Sequence, residues 1–407
     1  MPWRVAWRGA DWHPGRDMRT EATLHDPATA TATPAAGKRG ERRRYVVGLD
    51  VDLNFCVSAV QCGHGPIKPA QKWTRPQLLK WVKEQVEAGH EVHTVYEACG
   101  FGYTLHEELT AAGARNVVTT PTRLSPERRR KNDRLDAREL CVRLARHLDG
   151  QAHELHPIRI PTRAERERRE LGRQRDFWVR EIRRLENHGR ALRLEHEHAT
   201  LPGGWAGPRK WKALAAECSA FVRELLEPVA AQLRQAAAHR DALGARIEGH
   251  VASERLPKGL GALTVSLLDG EVCDWERFRD RKAVGSYTGC CPSEHSSGGV
   301  QRCGHIDRHG NGHVRTLLVE AVWRLLRWQP GWHARVKLLE RLKHGASLKK
   351  KVVVALARQL AIDLWRWRTG RCTAAELGWI LVEPGESTPD ETAETQATEA
   401  APAEPVA

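Results

Sequence analysis

The sequence predicts an α/β domain, then a basic coiled-coil or helical linker, then a mainly α-helical C-terminal domain. Three observations carry this. β-Branched runs alternate with helical patterns from about residue 44. Apolar residues then recur every seven positions amid arginine, at Leu171, Trp178, Leu185 and Leu192. Beyond Leu256, amphipathic helical spacing takes over. The divisions fall at 1–43, 44–155, 156–252, 253–382 and 383–407.

Residues 1–43 run from a Trp/Arg-rich start into HDPATATATPAAGKRGERRR, a composition that predicts disorder, and Met18 is an alternative start. YVVGLDVDLNFCVSAVQC reads as two adjacent strands joined near Asp52–Asn54. RPQLLKWVKEQVEAGH has helical spacing at Leu78, Leu79, Val82 and Val86, with Gly89 as its stop. EVHTVYEA is a strand, YTLHEELTAAG a helix, NVVTTPT a strand and KNDRLDARELCVRLARHL a helix. In the linker a second heptad run, Leu226, Val229, Leu233, Ala236, Leu243 and Ile247, follows the break LPGGWAGPRKW. LPKGLGALTVSLL then suggests a helix-hairpin-helix. There Gly259 and Gly261 expose backbone N–H groups to a phosphate beside Lys258, or simply cap one helix and start another. The end, from Glu383 to Ala407, is acidic, without Lys or Arg, and is expected to be disordered.

Net charge is +14, and the acidic end means the rest is more basic still. A polyanionic partner is expected, because binding releases the counterions condensed on nucleic acid. No apolar run approaches the about 18 residues of a membrane span, and the N-terminus lacks a signal-peptide core, so a cytoplasmic protein is expected. The ten cysteines share no disulfide-like spacing and read as reduced thiols.

Asp133 and Asp136 stand three apart in a basic helical stretch, where like charges on one face repel. Flanking Arg134, Arg138 and Lys131 could neutralise them on a solvated surface. But Asp50 closes the first strand and Glu97 a later one, and side chains at the carboxyl ends of neighbouring strands converge on one crevice. Four carboxylates there call for a divalent cation, and two such ions would orient and polarise a phosphodiester.

With GLDV, YEACGFGYTL and KNDRLDA, then LPKGLGALT, SYTGCCPSEHSSGG and HGNGHVRTLLVEA, the chain resembles the DEDD transposases of the insertion-sequence one-ten family. The resemblance runs from about Tyr45 to Trp328. It implies a RuvC-like, ribonuclease-H-type first domain in which Asp50, Glu97, Asp133 and Asp136 hold Mg²⁺. It implies that the serine before the glycine of SSGG attacks DNA, a role that falls to Ser297, with Ser296 as the alternative. Gly298 and Gly299 would let a phosphate approach, and Arg302, Arg308 and Arg315 would supply charge. DNA, a structured guide RNA (a bridge RNA) and a second copy of the chain, as dimer or tetramer, are the implied partners. A metal-dependent junction resolvase and a non-enzymatic nucleic-acid-binding relic are the rival readings. Cys290, Cys291, His295, Cys303 and His305 lack a CxxC pair, so zinc is not expected.

Overall fold

The computed structural model describes residues 42–121, 132–295, 302–342 and 350–384. They form a mixed α/β fold of two compact units, divided between Ile160 and Pro161.

The first unit is built on a five-stranded sheet. Its strands are β1 (Arg44–Val51), β2 (Cys56–Cys62), β3 (Gln71–Trp73), β4 (Glu91–Glu97) and β5 (Arg115–Thr119), in the order β3-β2-β1-β4-β5. β2 is antiparallel to β1 and β3, whereas β1, β4 and β5 run parallel. The helices are α1 (Arg75–Glu87), α2 (Thr104–Ala111) and α3 (Asp133–Leu148). α1 begins with a capping box between Thr74 and Gln77, and the chain then turns at Gly89 with φ +82°. Strand alternation divides the core in two. Val47, Leu49, Val92 and Tyr96 pack with Leu78, Val82, Leu105 and Leu109 of α1 and α2. Val46, Val57, Ala59 and Val95 pack with Ala137, Leu140, Cys141 and Leu144 of α3.

In the second unit α4 (Arg163–Glu197) packs along α6 (Ala220–Glu248), with α5 (Pro208–Glu217) between them in sequence. The heptad residues Leu185 and Leu192 face Leu226, Val229, Ala230 and Leu233, and Trp178 stacks on His239 at 4.8 Å. The Gly/Pro-rich break carries the fully buried Trp205, whose ring leaves no room for a side chain at Gly189. The arginines of α4 do not all lie on an outer face. Arg193 is buried against Glu197 and Glu217, and Arg173 reaches the buried Glu271.

The remaining elements are β6 (Leu256–Pro257), α7 (Ala262–Val272), α8 (Arg281–Tyr287), β7 (Pro292–Glu294), β8 (Cys303–Ile306), α9 (Gly312–Trp328), α10 (His333–Leu342), α11 (Lys350–Arg368) and β9 (Leu381–Val382). Val265 and Leu268 of α7, Leu318, Val322 and Leu325 of α9, and Leu356 and Leu360 of α11 form one core. Where a helix-hairpin-helix was expected, the turn at Gly259 follows a short strand. Pro257 lies in β6, which pairs with β9, and α6 has already ended at Glu248. Gly259 (φ +89°) packs on Trp328, and Lys258 and Ile380 are joined by the buried amide of Gln329. Gly259 is therefore needed for a turn and a close helix contact.

Candidate active site

β1 and β4 are in parallel register through Leu49 and Tyr96, so Asp50 and Glu97 occupy the next step at the carboxyl edge. By strand alternation both share the face that Val46 and Val95 present to α3. Gly48 lies on that face too. A Cβ there would fall 2.2 Å from the Ala137 carbonyl oxygen and 2.3 Å from the Cys141 nitrogen, so only glycine lets α3 lie directly on β1. The Cys141 thiol donates to the Val46 carbonyl at 3.3 Å, and burial pushes that thiol up to about 11. At the far end Arg44 pairs with Asp149, just past the C-terminus of α3, at 2.9 Å.

These anchors make α3 antiparallel to β1 and fix its height. From Arg44 to Asp50 the strand climbs about 20 Å at roughly 3.3 Å per residue. From Asp149 back to Asp136 the helix climbs about 20 Å at 1.5 Å per residue. Asp136 is thus level with Asp50, and Asp133 lies one turn, about 5 Å, farther out. Asp50, Glu97 and Asp136 are half-buried and Asp133 is exposed.

Both aspartates are in the first turn of α3, behind the cap in which Asn132 accepts from the Arg134 N–H at 3.1 Å. The helix dipole offsets the repulsion between them. All four groups are hard oxygen donors, which suits Mg²⁺ in kind. Among the described residues, however, no three or more His, Cys, Asp or Glu side chains are gathered closely enough to hold a metal ion. The four share an edge and a face without closing on a common point. Neighbouring Cys56 is no thiolate ligand at neutral pH, since burial pushes its thiol up to about 11.

In the second unit β7 and β8 form a hairpin stem, with Ser293 Oγ donating to the His305 carbonyl and the His295 N–H to the Arg302 carbonyl. Ser296 and Ser297 lie outside the described residues, between those strands in sequence. Arg302 and Arg308 are exposed, whereas Arg315 donates to the Thr288 carbonyl at 3.1 Å. The glycines of SYTG and HGNG interlock beside this stem. A Cβ at Gly310 would meet the Gly289 nitrogen at 2.2 Å and the Tyr287 oxygen at 2.3 Å. Asn311 caps α9 through Oδ1 and donates from Nδ2 to Glu271 at 2.7 Å.

Glu271 is the polar centre that sequence reasoning missed. Burial alone would raise its carboxyl, but the hydrogen bonds from Arg173 and Asn311 and the charges of Arg173 and Arg169 outweigh that and hold it below the usual carboxylate range. The signal was a pair of acids, Asp269 and Glu271, in the otherwise mainly apolar ALTVSLLDGEV.

Residues 256–337 match the family described as "Transposase IS116/IS110/IS902 family". Over that segment the chain is similar to the IS116/IS110/IS902 transposases. Relatives extend the match. The protein named "Putative transposase y4rJ" from Sinorhizobium fredii is 28% identical over 307 residues, 67% of this chain and 76% of its own. "Transposase for insertion sequence element IS1328" from Yersinia enterocolitica is 22% identical over 332 residues, 79% of this chain and 95% of its own. "Probable family 20 transposase" from Pseudomonas aeruginosa is 26% identical over 288 residues, 66% of this chain and 81% of its own. The second of these spans more of the chain than residues 161–407 contain, so its similarity extends into the carboxylate-bearing unit.

Proposed function

We propose that this protein is a transposase that cuts and rejoins DNA strands to move an insertion sequence. The observation that carries the reading is the seating of α3 on Gly48, which sets Asp136 level with Asp50 on the face that Glu97 shares. The strand order β3-β2-β1-β4-β5, with β2 antiparallel to a parallel β1-β4-β5 set, supports a RuvC-like first domain. Asp50, Glu97, Asp133 and Asp136 would hold a divalent metal, for which Mg²⁺ fits the oxygen donors. Such an ion, when bound, polarises a phosphodiester and neutralises its charge.

On this reading Ser297, or Ser296 beside it, is the nucleophile. Its Oγ would bond to phosphorus as the bond from phosphorus to a DNA oxygen breaks, the serine proton passing through solvent to that departing oxygen. The hydroxyl of a second DNA end would then attack the phosphoserine link and return the proton to serine. The basic surface serves the nucleic acids: the element's ends, its target, and an RNA that pairs with both. The active form would be a dimer or tetramer, working in the cytoplasm. Among the described residues no helix is long and apolar enough to cross a membrane.

The test is covalent trapping. Incubated with element-end DNA and Mg²⁺, then denatured, the wild type should migrate attached to DNA. Ser297→Ala should bind nucleic acid and form no adduct. An adduct from Ser297→Ala but none from Ser296→Ala would move the nucleophile by one residue. Adducts from both variants, and from the double variant, would sink the serine mechanism and favour a metal-dependent resolvase. Sequencing RNA that copurifies tests the guide: a discrete structured species is expected, and only random cellular RNA would reject it.

A further inference from the structure

We propose that a cavity at the carboxyl edge of the sheet, on the face opposite the carboxylates, holds an unpaired nucleobase of the strand being cut. This rests on the strand-cleavage reading above and gives it a specificity site. The cavity measures about 220 Å³ and is walled by Val51, Phe55, Tyr96, Phe101 and Leu105, with Arg75 among its lining residues. That is below the roughly 300–1,000 Å³ of common small-molecule sites, so it suits one ring system.

Position is the first argument. Asp50 and Val51 are consecutive on β1, Tyr96 and Glu97 on β4, and consecutive strand residues face opposite ways. Asp50 and Glu97 face α3, while Val51 and Tyr96 face the cavity. A single strand whose phosphate lies at the carboxylates therefore needs only to cross the sheet edge to deliver a neighbouring base.

The lining is the second argument. Leu53 is 74% exposed and Phe101 49% exposed, and both border the cavity. Large apolar groups gathered in water around a recess mark a binding surface. Lys72 Nζ already occupies Phe55, 3.4 Å from its ring centre, which leaves Phe101 as the ring available for stacking. The third argument is Arg75. Its Nε is held by Glu108, while its Nη2 is buried with no hydrogen-bond partner among the described residues. An orphaned buried donor is costly, and the acceptor edge of a base would satisfy it. Largely apolar walls with one unsatisfied cationic donor, and the exposed Asp52 carboxylate among the lining, fit a neutral base better than a bare phosphate.

Photocrosslinking of the full-length protein tests this, using a short single-stranded DNA with 5-iodouracil in place of thymine and its RNA counterpart. Adducts on Phe101 in the DNA arm are expected. Phe101→Leu should reduce them roughly tenfold, as loss of a base-stacking partner implies, and Phe101→Trp should restore them. Arg75→Lys should also lower the yield, which is read in every variant per oligonucleotide bound. Adducts confined to other residues, with DNA still bound, would overturn the cavity assignment and leave the cleavage reading standing. Adducts here in the RNA arm alone would overturn the assignment to the cut strand. Failure to bind either oligonucleotide would overturn the cleavage reading and this one with it.

Discussion

Replacing Gly48 by Ala should separate α3 from β1 and carry two of the four carboxylates with it. The new Cβ would sit 2.2 Å from the Ala137 oxygen and 2.3 Å from the Cys141 nitrogen, both backbone atoms that cannot rotate away. The helix must retreat by about 1 Å to restore ordinary contact. Overpacking of this kind costs about 1–3 kcal/mol, and the upper half of that range applies because the clash is with backbone. At a urea m-value of about 2 kcal/mol/M, the unfolding midpoint of the first unit should fall by about 1 M. Displacing positioned groups by about 1 Å should lower strand cleavage about 100-fold. Nucleic-acid binding should change little, since Arg134 and Arg138, which travel with α3, shift by only about 1 Å, far less than the screening length of about 10 Å. Urea titration by circular dichroism and cleavage of labelled element-end DNA give the two readings. A variant with the wild-type midpoint and cleavage rate would refute the seating of α3 and the site built on it.

Asp50→Ala and Asp136→Ala should each reduce cleavage to background with nucleic-acid affinity nearly intact; near wild-type cleavage in either would reject the metal site. Changing Arg168, Arg180 and Arg183, exposed on α4, to Gln should flatten the salt dependence of binding. Each lost phosphate contact should reduce the log–log slope by about 0.7–0.9, and an unchanged slope would assign this face to solvent alone. Glu271→Gln breaks a buried charge pair and should cost about 3 kcal/mol, the low end because Arg173 is partly in water. The Glu271 carboxyl is depressed in the folded protein, so its contribution is present above the ordinary carboxylate range and lost as pH falls through its folded value. The stability gap between wild type and variant should therefore shrink below about pH 4, and a pH-independent gap would contradict the pairing.

Local pattern served well where it met one local rule. Val46–Leu49 and Val92–Tyr96 are β-branched, apolar runs, and β1 and β4 lie on them. The helix spacing of Leu78 and Val82 is the buried stripe of α1. Asp50 and Glu97 were legible because strand ends can be read from composition. Contacts between distant segments were not. β3 is three residues long and carries too little pattern to stand out. Gly259 looked like a phosphate turn because nothing nearby in sequence announces Trp328 or the Gln329 clamp. Arginines of α4 look alike in sequence, yet Arg173 and Arg193 meet carboxylates from other segments. The repulsion expected of Asp133 and Asp136 is moderated by their place in the first turn of α3, just behind its cap Asn132.

The Gln329 clamp has a bearing on inheritance. Its amide ties the backbone of Lys258, at the front of the family-matched segment, to that of Ile380, beyond its end. Trp332, inside the segment, donates to Asp363 on α11 at 2.9 Å, and Val353, Leu356 and Leu360 complete the core around α9. Residues 256–337 cut out alone would expose that apolar surface and lose the strand that pairs with β6. The segment most easily recognised across relatives is therefore not a module that can be exchanged by itself. A chimaera spliced at its borders should be insoluble, whereas one that also carries the chain through Val382 keeps α11 and β9 and with them both tethers. Shuffling between elements must pass this stretch on together with its C-terminal partners or not at all.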